Sequence, residues 1–400
     1  MSSLIVEIVK IDKVVNHPDP ATTSLDVATV KGWNCLIKRG TFKEDDLCVY
    51  FPIDSILPLQ LSDAIGATKY LRKGRVVATK LRGIPSYGLL WELDNAKKYI
   101  DTPNRPGYGT YPLNWDVGQD LAFCLGVTKW DPEEPVHIVD KNESPKNKKY
   151  NAIFWTAKFL YKVKLFWVAR KVMYLWQYLN KLIPIKDLAD FHKYTDIENY
   201  RNYPDVIPEG EPVAMTEKIH GSNVRLGCIN GKFVVGSHNV RKGQQPGCKF
   251  WGCLTDNVKE MLLAIYKLEK KPVIVYGEIY GSKIQDLTYG LTNGETAFRV
   301  FDIKIGDIYM GYGRMIATCH NHNVAAVPEL YIGPFSFAKI KEIEAKKKST
   351  LADNMMEGVV IKALDEKLVQ FNPKHVGLQR MILKYVFSEY LCRKDGTEYH

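Results

Sequence analysis

Between Glu143 and Asp187 the chain contains no acidic residue, while positions 144–186 carry ten Lys and Arg. This stretch divides the sequence. The other 45 of 55 basic residues are matched by 45 acidic ones, so the whole formal net charge of +10 belongs to it. A 400-residue chain also exceeds what one hydrophobic core usually serves. Three units are therefore expected, 1–143, 144–186 and 187–400. Within the basic unit Tyr161, Leu165, Val168, Val172, Leu175, Leu179 and Leu182 recur at alternating spacings of four and three, which predicts an amphipathic helix. Trp155, Phe159, Phe166, Trp167, Tyr174, Trp176 and Tyr178 stand around that stripe. Its longest uncharged run, Val172 to Asn180, is far short of the ~18 apolar residues a membrane span needs. No span is expected. A basic aromatic helix can pack on a domain, pair with another helix, follow a phosphate backbone or lie on an anionic membrane surface.

The flanking units differ in pattern. In 1–143, short runs with strand character (Leu4 to Ile11, Leu25 to Val30, Asn34 to Ile37, Leu47 to Phe51, Val76 to Leu81) alternate with turn formers such as His17-Pro18-Asp19-Pro20 and Arg82-Gly83-Ile84-Pro85. That pattern predicts an all-β, OB-type barrel. Asp94 to Asn114, rich in Pro, Gly, Tyr and Asn, reads as a long irregular loop. From Asp187, strand runs (Val224 to Cys228, Lys232 to Gly236, Val273 to Tyr280, Ala297 to Ile303, Gly358 to Ala363) are mixed with helical ones (Asp256 to Glu269, Phe337 to Lys348), which predicts an α+β domain. The eight cysteines form no CxxC pair and no secretory signal is visible, so reduced thiols in a cytoplasmic setting are expected. A composition of 46% hydrophobic and 25% charged residues excludes wholesale disorder and a multi-span membrane protein.

Chemistry concentrates in the third unit. In Thr216-Glu217-Lys218-Ile219-His220-Gly221-Ser222-Asn223 a lysine follows an apolar run and precedes a glycine turn. A lysine held at a strand end and partly desolvated can give up its proton and become a nucleophile. Glu278 lies in the middle of the apolar run Val275 to Gly281, where a carboxylate is costly unless it meets a metal, a ribose hydroxyl or a cation. Glu357 and Lys362 bracket a second apolar run, Phe301 offers an aromatic face for a base, and Arg380 and Lys384 add late positive charge.

This series resembles the motifs of the lysyl-nucleotidyltransferase superfamily, the ATP-dependent ligases and mRNA capping enzymes. The Lys218-Ile-His-Gly-Ser-Asn form is similar to that of RNA ligases. In the first unit Gly32-Trp33, Lys38-Arg39-Gly40, Val49 to Ser55 and Leu125 to Trp130 resemble the N-terminal OB module of the Deinococcus-type RNA ligases, as does Asp196 to Tyr200 before the third unit. The resemblance implies an OB module followed by a nucleotidyltransferase domain. It also implies an ATP-dependent RNA ligase that joins 3′-hydroxyl and 5′-phosphate ends, at nicks in duplex RNA or RNA/DNA hybrids, through a Lys218-AMP intermediate. Magnesium, with manganese as a substitute, would be held by Glu357 and Glu278. Glu217, His220, Asn223, Glu278, Phe301, Lys362 and Lys384 would bind the nucleotide. His238, Arg241 and Arg380 would serve as further phosphate contacts. Two positions depart from the pattern: Ile382 stands where a second lysine is common, and His238 where arginine is common. A capping-type guanylyltransferase is the alternative within the superfamily, although capping enzymes carry the OB module last. A non-catalytic nucleic-acid or membrane-surface protein is the alternative outside it.

Overall fold

The computed structural model describes residues 6–107, 109–130, 188–244, 247–371, 377–393 and 396–397, together with scattered positions between 153 and 175. The basic helical unit expected at 144–186 lies outside the described residues except at those positions. Of these, Trp155, Phe159, Trp167 and Leu175 are helical and exposed. Among the described residues no helix is long and apolar enough to cross a membrane.

The N-terminal module is built on two antiparallel three-stranded sheets. One orders Glu7–Lys10, Leu47–Pro52 and Gly88–Glu92; the other orders Lys13–Asn16, Leu25–Val30 and Trp33–Lys38. Side chains of a strand alternate between its faces, and Leu47–Pro52 uses both. Cys48 and Tyr50 enter the cluster around Trp33, while Val49 and Phe51 enter the one around Leu61 and Ile100. The stretch read as an irregular loop from Asp94 instead begins as a helix, Leu93–Ile100. Ala96 and Ile100, one turn apart, are fully buried, and Asp94, Asn95, Lys97 and Lys98 form the wetter side. The polar residues that read as loop are the outer face of a short amphipathic helix. Pro and Gly dominate only beyond it.

The C-terminal module consists of two sheets. The first orders Glu198–Asn199, Ile382–Val386, Gly358–Ala363, Pro212–Lys218 and Glu329–Pro334; only its Glu198–Asn199 edge pairs in parallel. The second orders Arg241–Lys242, Lys232–Ser237, Ser222–Ile229, Val273–Gly281, Thr296–Ile305 and Ile308–Tyr309, antiparallel throughout. The helix Asp256–Glu269 forms with the predicted bounds. Val258, Met261, Leu262 and Ile265 make its buried stripe, and the Thr255 side chain accepts a hydrogen bond from the Val258 amide at its start. The helix Phe337–Ala345 buries Ile340 and Ile343 in the core beneath the first sheet.

The modules are joined by the start and the end of the C-terminal one. Arg201 is 8% exposed and lies 4.5 Å from the Trp33 ring centroid and 3.9 Å from that of Tyr385, donating to the Val386 carbonyl at 2.9 Å. Trp33 Nε1 donates to Asn202 Oδ1 at 3.0 Å. The terminal turn Ser388–Leu391 puts Tyr390 and Leu391 into the same cluster as Trp33, Tyr50, Ile53 and Tyr87 of the barrel. Farther on, Arg75 donates to the Gly396 carbonyl and Thr397 donates to Asp54, which is itself paired with Arg75.

A desolvated cation on aromatic faces is worth about 2 kcal/mol, and its hydrogen bond adds about 1. Arg201→Ala is therefore expected to lower unfolding stability by about 2–4 kcal/mol in urea titrations. An unchanged midpoint would show that the aromatic sandwich contributes nothing to the joint.

Candidate active site

The strand Pro212–Lys218 pairs with Gly358–Ala363, which in turn pairs with Ile382–Val386. Alternate residues on these three strands share a face. Thr216 and Lys218, Val360 and Lys362, and Ile382 and Lys384 form one side of a cleft of about 1170 Å³, mouth included. The second sheet supplies the other wall through Asn223, Glu278 and Phe301. Asn223 and Glu278 are direct cross-strand neighbours. Phe301 enters through an irregularity: Tyr276 pairs with Asp302 and Gly277 with Val300, leaving Phe301 as the extra residue of a bulge.

The strand register also sets the charges. Lys218 lies opposite Gly358, and the preceding Glu357 reaches back to put Oε1 2.6 Å from Lys218 Nζ. Glu357 is fully buried, with its Oε2 3.5 Å from Nδ1 of a His220 that is 1% exposed. Gly358 admits no side chain, because a Cβ there would lie 2.3 Å from the Tyr385 carbonyl oxygen. At Gly221 a Cβ would meet the Ile279 carbonyl oxygen at 2.3 Å. That close approach brings the turn after Lys218 against the Glu278 strand.

Lys362 and Arg380 converge on the fully buried Asp302, each at 2.8 Å, and Tyr194 donates to the same carboxylate at 3.0 Å. Burial opposes ionisation of Asp302, yet Lys362 and Arg380 outweigh it and hold the carboxyl below its usual range. Burial pushes His238 down to about 4, so it faces the cleft as a neutral imidazole. The Glu217 carboxylate accepts hydrogen bonds from the Thr350 amide at 2.9 Å and the Thr350 hydroxyl at 2.6 Å.

Of the residues named from sequence, Glu217, Lys218, Asn223, His238, Glu278, Phe301, Lys362 and Lys384 line the cleft. Glu357 joins it through Lys218. His220, Arg241 and Arg380 are not among the lining residues. His220 is turned to Asp286 and Tyr390 behind Lys218. Arg241 is half-buried on the short edge strand Arg241–Lys242. Arg380 engages Asp302 and Glu366 and lies 3.5 Å from the Tyr309 ring centroid. Sequence reasoning did not single out Asp302, although it is a carboxylate in an apolar run like Glu278, and the same argument applied to it. Tyr194, Thr195 and Tyr312 on the cleft wall, and Asp286 and Tyr390 behind it, carry no such local signal.

Among the described residues no group of three or more His, Cys, Asp or Glu is arranged to hold an ion. Glu278 offers a hard oxygen donor on the cleft wall, of the kind magnesium takes together with substrate phosphates, while the oxygens of the buried Glu357 lie at Lys218 and His220.

Asp302→Asn would leave Lys362 without its counter-charge and Arg380 with Glu366 alone, at a cost of about 3–5 kcal/mol. Because its folded pKa lies below the ordinary 3.8, Asp302 stabilises fully above that value and loses its contribution as pH falls through the lower folded one. Denaturation at pH 7 should show the loss, and the variant should lose less further stability than wild type on acidification below pH ~4. Equal stabilities at pH 7 would contradict the assignment.

Comparisons with known proteins agree with this architecture. Residues 211–386 match the family described as RNA ligase, and residues 5–93 match an OB-fold domain. None of the curated proteins matches. Among solved structures, Naegleria gruberi RNA ligase with pyrophosphate is 22% identical at a TM-score of 0.68, covering 97% of this chain and 98% of that one. A variant of the same ligase with ATP and manganese is 21% identical at a TM-score of 0.67, with the same coverage. The chain thus has the fold of an RNA ligase, an OB-fold module followed by a nucleotidyltransferase domain whose residues 211–386 match the RNA ligase family.

Proposed function

We propose that this protein is an ATP-dependent RNA ligase that joins 3′-hydroxyl and 5′-phosphate ends at nicks in duplexes through a Lys218-AMP intermediate. The observation that carries the reading is the position of Lys218 Nζ at the cleft, 2.6 Å from Glu357, on the same sheet face as Lys362 and Lys384. Matches to the RNA ligase family and to Naegleria ligase structures bound to ATP or AMP with manganese support it. The OB module standing first favours the Deinococcus-type order over the capping enzymes.

In this reading Lys218 Nζ loses a proton and attacks the α-phosphorus of ATP. The N–P bond forms, the bond to the bridging oxygen breaks, and pyrophosphate leaves with the electron pair. An oxygen of the 5′-phosphate then attacks the same phosphorus, the N–P bond breaks and the lysine regains a proton. Finally the 3′-hydroxyl, losing its proton, attacks the 5′-phosphate and AMP departs with the electron pair. Each step is an in-line displacement at a charged phosphorus, so positioning and charge neutralisation do the catalysis. Phe301 stacks on the adenine, and Glu278 and Asn223 hold the ribose. Lys384 and Lys362 face the α-phosphate, with Asp302 fixing the direction of the Lys362 ammonium. Neutral His238 contacts phosphate or ribose as a hydrogen-bonding group. A divalent cation bound by Glu357 and Glu278 would neutralise phosphate charge.

The test is incubation with labelled ATP or GTP and magnesium, followed by denaturation and by sealing assays on nicked duplexes. An acid-labile AMP adduct is expected with ATP, absent from Lys218→Ala and reduced on the order of 10²–10³-fold in Glu357→Ala. An adduct formed only with GTP would favour capping chemistry, and no adduct with either would leave a binding protein.

A further inference from the structure

His220, two residues beyond Lys218, is not on the cleft wall, yet both its ring nitrogens and its backbone amide are engaged. Its ring is 1% exposed. Nε2 lies 2.7 Å from Asp286 Oδ1, and Nδ1 lies 2.8 Å from the Tyr390 hydroxyl. Its backbone amide donates to the Tyr289 hydroxyl at 2.7 Å. A carboxylate accepts only, so Nε2 donates to Asp286, and with the Tyr390 hydroxyl at Nδ1 both ring nitrogens are engaged. Arg393 completes the arrangement by pairing with Asp286 and donating to the Tyr390 oxygen at 3.0 Å.

The held ring edge is the surface against which Glu357 lies. Glu357, itself fully buried, has Lys218 at 2.6 Å on one oxygen and His220 at 3.5 Å on the other. A swing of the imidazole would let that carboxylate, and with it the nucleophile, change position. Tyr390 itself has two attachments, since its ring belongs to the core shared with Trp33, Tyr50 and Tyr87 of the OB module.

We propose that Tyr390 and Asp286 are positioning residues for the adenylylation of Lys218: they lock His220 against Glu357, and Tyr390 makes that lock depend on the docked OB module. The inference rests on the ligase reading above. Neither residue touches the nucleotide. They act through the orientation of Glu357, and supporting groups of this kind typically govern about 10- to 100-fold in rate.

Single-turnover formation of the AMP adduct on the full chain separates the possibilities, because its amplitude reports the competent fraction and its rate constant reports positioning. Tyr390→Phe keeps the ring in the shared core and removes only the hydroxyl; Asp286→Asn keeps the shape and removes the charge. Both are expected to lower the maximal rate constant about 10-fold or more with the ATP concentration for half-maximal rate unchanged. The double variant should lose less than the product of the two, since both act on one ring. Rate constants equal to wild type, or losses confined to amplitude, would overturn the proposal while the wild-type adduct upholds the ligase reading. A wild type that forms no Lys218-dependent adduct would overturn both.

Discussion

A carboxylate with no access to water must be given partners, and at Glu357 that requirement organises the centre of the molecule. Its two oxygens face Lys218 and His220, which belong to one short turn two residues apart. Removing the Lys218 ammonium would take away the cation paired with this buried carboxylate, a far larger penalty than the loss of an exposed ion pair. The Lys218–His220 segment, the strand beginning at Gly358 and the terminal turn bearing Tyr390 thereby meet at one point. Gly358 and Gly221 make this possible by letting backbones approach where any side chain would collide.

The positive charge facing the cleft is managed by the same logic. Lys362 and Arg380 share the buried carboxylate of Asp302, so one is presented to the cleft while the other is retained behind it. His238, pushed towards neutrality by burial, adds hydrogen bonding without charge. An anionic ligand entering here would meet fixed and partly compensated cations that need little reorganisation, the arrangement that favours electrostatic stabilisation of charge developing at phosphorus.

Much of this was legible in the chain. Strands such as Leu25–Val30 and Gly358–Ala363 and the helix Asp256–Glu269 appear with the bounds their periodicity predicted, because each buries one continuous apolar face. The cleft residues Lys218, Glu278 and Lys362 stood out because charge inside an apolar run needs a reason. Leu93–Ile100 was misread because only two of its residues, Ala96 and Ile100, are fully buried, too few to stand out from a polar background. Arg380 stood out by its positive charge, whereas the Asp302 and Glu366 that engage it lie 78 and 14 positions away and could not be read beside it.

By itself the sequence determined that the whole charge excess lies in one basic stretch, with the remaining residues balanced when taken together, as well as the strand and helix periods and the residue types available at the cleft. These are local properties, set by which side chains alternate and where charge accumulates. Only the tertiary structure decided their use. The bulge that turns Phe301 into the cleft depends on a register between two strands, and the enclosure of His220 depends on residues 66 and 170 positions away. Such pairings are fixed by which backbones pack together, and chain order leaves no trace of them in the neighbouring residues.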